Sequence, residues 1–226
     1  MSAARGMDDV WQLVIAGFTG LLSGFLVSMP IGPINISVIN EGAQRGFARA
    51  LWIGLGAMTM DVIYCAIGLA GFSELFSARL LRAGMELASF VLVLSLGVKY
   101  LRAQSLTLTS KGADLIEQRL HPHTAYMTGL ARVVGNPGVL LLWVALSAMF
   151  VSHEWVDPNW MSKLLCVVGV GVGATIWFLL LSYGVSRGHR RFSTGTLLKL
   201  SRISGACLLA VSIIIAGRIV ALLAKH

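Results

Sequence analysis

Apolar residues in this chain run in long blocks separated by short polar ones. Windows near one bilayer thickness give six blocks, about 11–42, 49–72, 80–102, 126–152, 160–186 and 198–222. A helix crosses the hydrocarbon with roughly 20 apolar residues, so the pattern predicts an all-α integral membrane protein, a single transmembrane domain over 1–226. The first block is too long for one straight span, and it contains V-S-M-P-I-G-P-I-N-I-S-V-I-N, Val27 to Asn40. Pro30 and Pro33 each lack an N–H, and each ring collides with the carbonyl four residues back. They should free the carbonyls of Leu26 and Met29. Membrane-depth backbone tolerates that only where it is buried in protein or lines a wet cavity. The run from Pro30 to Pro33 is therefore read as a cavity wall.

A second break is expected in the fourth block, at V-G-N-P-G (Val134 to Gly138), where Pro137 should free the carbonyl of Val133. After each break comes the same four-residue pattern. It is Gly54-Leu-Gly56-Ala57 in the second block and Gly171-Val-Gly173-Ala174 in the fifth. The pairing predicts two three-helix repeats, 11–102 and 126–224, joined by a surface loop at 103–125. Three spans are an odd number, so the second repeat must enter the membrane from the opposite face. Paired interrupted segments in inverted halves point to a carrier's binding site.

Composition agrees: 56% of residues are hydrophobic, 12% are charged, and mean hydropathy is +0.79. The net charge of +8 does not indicate nucleic acid, because the basic residues lie between apolar blocks and not on an aromatic-lined stripe. It fits anchoring to anionic lipid headgroups. Eleven basic residues fall in the loops after the first, third and fifth blocks and six on the other side, leaving Arg132 inside the fourth. The positive-inside tendency then places both termini on the outer side. Met1 to Val10 lacks a basic n-region, so the expectation is an uncleaved first helix. Cys65, Cys166 and Cys207 sit in apolar blocks without a C-x-x-C and read as reduced packing residues. His121 and His123 flank Pro122 with no third ligand nearby, so no metal site or other cofactor is expected.

Gly32-Pro33 and Asn136-Pro137 each have the form of a helix start, a cap residue followed by proline at the first position. Each half-helix would begin with unpaired N–H groups and a positive dipole end. Two such ends meeting at the midplane suit a carboxylate. Asp61 is the one acidic residue in the middle of an apolar block. A carboxylate there costs on the order of 2.5–3.5 kcal/mol, so it must face the bundle or water. It reads as a counter-charge, a proton carrier, or an acceptor for the half-helix N–H groups. Gly54, Ala57, Tyr64 and Gly68 share its helical face. Asn35 could orient a ligand or satisfy a freed carbonyl, and Asn40 follows on the same segment. Trp177 reads equally as cavity lining or as an ordinary core or lipid-facing residue. Glu41 and Arg45 form an i,i+4 pair at the surface. The glycines of the second and fifth blocks suit close helix contacts, within one chain or between two copies in a homodimer.

The run P-I-G-P-I-N-I-S-V-I-N-E-G-A-Q-R-G (Pro30 to Gly46), M-D-V-I-Y (Met60 to Tyr64) and N-P (Asn136-Pro137) resemble the LysE family of amino-acid exporters across essentially the whole chain. Ile34, where the family usually has Gln, and Met60, where it has Ser before the aspartate, depart from the pattern. The resemblance implies the bacterial inner membrane and export of an amino acid, basic or otherwise, by alternating access coupled to protons or to the membrane potential. It also implies a substrate site at Pro30, Gly32, Pro33, Asn35, Asn40, Asp61, Tyr64, Asn136, Pro137 and Trp177. A metal-ion carrier would want several carboxylates, thiols or imidazoles at one depth, and the blocks offer one carboxylate. An intramembrane protease would need a second membrane carboxylate or a serine–histidine pair, so no enzyme activity is expected.

Overall fold

The computed structural model describes residues 2–30, 32–75 and 124–187, with scattered residues between 87 and 102 and between 195 and 217. The expected third and sixth spans, most of the 103–125 loop, the 121–123 histidines, Cys207 and both chain ends fall wholly or largely outside the described residues. Six helices are described: α1 (Ser2–Ser28), α2 (Pro33–Arg45), α3 (Phe47–Leu75), α4 (Ala125–Val134), α5 (Pro137–Ser152) and α6 (Trp160–Arg187). Val10–Ser28, Phe47–Gly71 and Trp160–Arg187 are each long and apolar enough to cross a membrane. The pair α4–α5 makes a fourth candidate, bent by 71° at its break. The protein is an integral membrane protein built from helices.

Both expected breaks are present. The first block is two helices, α1 ending at Ser28 and α2 starting at Pro33 with Gly32 as its cap. The fourth is α4 and α5, with Asn136 as cap and Pro137 at the first helical position. The connection between α2 and α3 is tighter than the pattern suggested. It is Gly46 alone, at φ +86°, a left-handed conformation that side chains disfavour.

The helix before each break packs on a long unbroken helix, α1 on α6 and α4 on α3. Glycine permits the contact, because a methyl group there would strike backbone. A Cβ at Gly24 would lie 2.2 Å from the Val170 carbonyl oxygen, and one at Gly173 2.0 Å from that of Leu21. In the α3–α4 crossing, a Cβ at Gly129 would lie 2.0 Å from the Ile53 oxygen, and one at Gly56 2.1 Å from that of Tyr126. These contacts correspond in register. Gly24 and Gly129 are 105 positions apart, as are Leu21 and Tyr126, while Val170 and Gly173 lie 117 beyond Ile53 and Gly56. A third pair follows the same offsets: Gly42 of α2 meets Val185 of α6, and Ser147 of α5 meets Gly68 of α3. The Gly-x-Gly-Ala patterns are thus contact surfaces. Between them lies a core in which Trp143, Phe150, Phe178, Ile53 and Leu69 are fully buried.

Candidate functional site

The first break is closed by a side chain. Asn35, on the first turn of α2, is 2% exposed. Its Nδ2 donates to the carbonyls of Ser28 at 2.8 Å and Pro30 at 2.7 Å, and its Oδ1 accepts from the Trp177 indole N–H at 3.3 Å. The repaired carbonyls are those at the actual end of α1, not the Leu26 and Met29 carbonyls that proline geometry alone suggested. The backbone helps, with Gly32 N donating to Pro30 O and Ile36 N to Gly32 O. Trp177 is buried, with Phe25 edge-on to its ring at 5.7 Å. Its indole is therefore turned into the bundle and not toward lipid.

The second break uses its own cap. Asn136 Oδ1 accepts from Gly138 N at 3.2 Å, and the freed Val133 carbonyl accepts from Asn136 N at 2.9 Å. Six residues into α5, Trp143 is fully buried and donates its indole N–H to Asp61 Oδ1 at 2.9 Å. Asp61 is 6% exposed and lies inside the bundle, as the cost of a lipid-facing carboxylate requires. A hydrogen bond to a charged group offsets about 1.5–3 kcal/mol of that cost. A carboxylate has about four acceptor positions, and among the described residues Trp143 is its one hydrogen-bond partner. Among the described residues, then, acceptor capacity is left over.

The other site residues fall into two groups. Tyr64 is buried one turn beyond Asp61, and Pro30, Gly32 and Asn136 are half-buried at the breaks. Pro33 and Pro137 occupy the first positions of their helices. Asn40 is exposed on α2, apart from the buried set. At the surface Glu41 pairs with Arg45 at 3.4 Å and also with Arg49 at 3.0 Å. Cys65 and Cys166 are buried free thiols. Among the described residues no three His, Cys, Asp or Glu side chains gather as metal ligands would. Trp143 was not anticipated from sequence. A signal existed: an indole N–H within an apolar block needs an acceptor, and Asp61 was the one carboxylate available at that depth.

A family model described as LysE type translocator matches residues 25–217. The chain belongs to that family. Its family consists of translocators rather than enzymes, and the matched region takes in both breaks, Asp61, Trp143 and Trp177. This LysE-type chain is 25% identical over 191 residues to a Bacillus subtilis (strain 168) protein named as an amino acid efflux protein, YcgF, covering 84% of this chain and 89% of that one. It is 28% identical over 158 residues to the chemotactic transduction protein ChpE of Pseudomonas aeruginosa, covering 70% and 75%. A third relative, an uncharacterized membrane protein of the same Pseudomonas strain, is 24% identical over 182 residues, covering 80% and 81%. No solved structure matches the chain.

Proposed function

We propose that this LysE-type translocator is a secondary exporter of an amino acid or similar zwitterion, working by alternating access and driven by protons or the membrane potential. The observation that carries the reading is the buried carboxylate of Asp61, held by one bond to the half-helix that begins at the second break. In this reading Asp61 takes the amino group or side-chain cation of the substrate. The half-helix ends at Pro33 and Pro137 take its carboxylate, since helix N-termini carry unpaired N–H groups. Asn35 spends both amide hydrogens on the first break, so its part is to fix the shape of that break. Tyr64 lines the acid's helical face. The name of the Bacillus relative supports the efflux assignment.

The architecture proposed with it is six spans in two inverted three-helix repeats in a bacterial inner membrane, both termini outside. Support comes from the three contacts that recur at offsets of 105 and 117 residues. A membrane protein that returns to the same contacts from opposite faces has two related ways to open, which is what alternating access needs.

Purified protein in proteoliposomes loaded with a panel of labelled amino acids tests the function. At least one should be released faster than from empty liposomes, and release should respond to an imposed proton gradient or potential. Release of none of the panel under any gradient overturns the exporter reading. Tags at both termini should be labelled from outside intact cells. Labelling only after permeabilisation overturns the orientation.

A further inference from the structure

The two half-helices that follow the breaks are held differently. Gly42 of α2 is wedged between both second spans, since a Cβ there would lie 3.1 Å from Val185 Cγ1 on α6 and 3.2 Å from the Ala50 Cβ on α3. At the corresponding place in α5, Ser147 presses on Gly68 of α3, where a Cβ would lie 2.5 Å from the Ser147 hydroxyl. That half-helix makes no more than slight contact with α6, although both helices are described throughout. The Trp143–Asp61 bond also fastens α5 to α3.

We propose that Trp143 is a latch, a positioning residue that holds α5 on α3 until Asp61 lets go. Once it does, α5 docks on α6 as α2 already docks on α3. The register says where it would land. Ser147 corresponds to Gly42 and Val167 to Ala50, at the offsets of 105 and 117, so docking brings Ser147 beside Val167. An indole N–H is a neutral donor and nothing else. An ammonium or guanidinium group reaching the same carboxylate adds the attraction of a full opposite charge, which the neutral indole lacks. A cation arriving at Asp61 therefore competes with the latch for the acid. The purpose of the latch rests on the exporter reading, but its test does not.

The test is cross-linking in the full-length chain in proteoliposomes, with Cys65, Cys166 and Cys207 replaced by alanine and Ser147→Cys and Val167→Cys added. A short bifunctional methanethiosulfonate is the probe. Adding Trp143→Phe, which keeps an aromatic ring and removes the donor, should raise the cross-linked fraction at least threefold. Asp61→Ala, which removes the acceptor, should raise it as much, and the two together no further. Unchanged cross-linking in both variants, with protein that still elutes as a single folded species, overturns the latch. Additive effects overturn it too, because two independent packing defects would add. If Trp143→Phe does not fold, Asp61→Ala decides alone. Cross-linking that rises while no amino acid is exported leaves the latch standing and removes the exporter. Export with unmoved cross-linking does the reverse.

Discussion

The two breaks share a scaffold and differ in chemistry. At the first, a neutral amide makes three hydrogen bonds, two to the loose end of α1 and one from Trp177. At the second, the cap is local, and the long-range bond is a neutral indole on a carboxylate that has, among the described residues, no other hydrogen-bond donor. A knot with its donors spent holds a shape, and an acid with spare acceptor positions can take a ligand. Glycine crossings at matching sequence offsets accompany both breaks, so the difference lies in a few side chains. On this comparison the side chain at the first break has no amide hydrogen to spare, and the contact beside the second centres on an acid.

Substitutions can break that division. The largest effect is expected from Asp61→Ala, which should lower export by about 100-fold, a little under 3 kcal/mol in barrier terms, with insertion close to wild type. Export at the wild-type rate would end the role given to Asp61. Asn35→Ala should do the opposite, costing about 2–3 kcal/mol of stability because two carbonyls and an indole N–H lose their partner. Turnover per folded molecule should stay within a few-fold of wild type, which a thermal melt read beside an export assay would separate. Gly56→Ala and Gly173→Ala place a methyl 2.1 and 2.0 Å from backbone oxygens in corresponding crossings. Each should cost roughly 1–3 kcal/mol by overpacking, and by similar amounts. A harmless change at one and unfolding at the other would count against the repeat. Arg49→Gln removes a half-exposed ion pair to Glu41 and should alter stability by less than about 0.5 kcal/mol.

Much of this was legible because proline and glycine act on their own neighbourhood. Pro30, Pro33 and Pro137 cannot continue a helix that runs up to them, and the glycines of a Gly-x-Gly-Ala pattern allow close approach before any partner is known. The fifth block, expected at 160–186, is α6 at Trp160–Arg187. The Trp143–Asp61 bond was not legible, since it joins residues 82 positions apart and depends on how α5 leaves its break. The 71° bend has the same origin: proline removes the bond, and tertiary packing sets the angle. Asn40 lies apart from Asn35 for a local reason. Five residues along an α-helix turn the side chain by about 140°, so Asn40 could not share the buried face of Asn35. Here sequence spacing alone already carried the answer.

Gly46 has a mechanical consequence. With one residue joining α2 to α3, the two helices form an elbow without slack, so a push at the foot of α2 reaches α3, the helix that bears Asp61, instead of being absorbed by a yielding tether. Lengthening that joint by a single residue should uncouple the first break from the acid while leaving each helix intact.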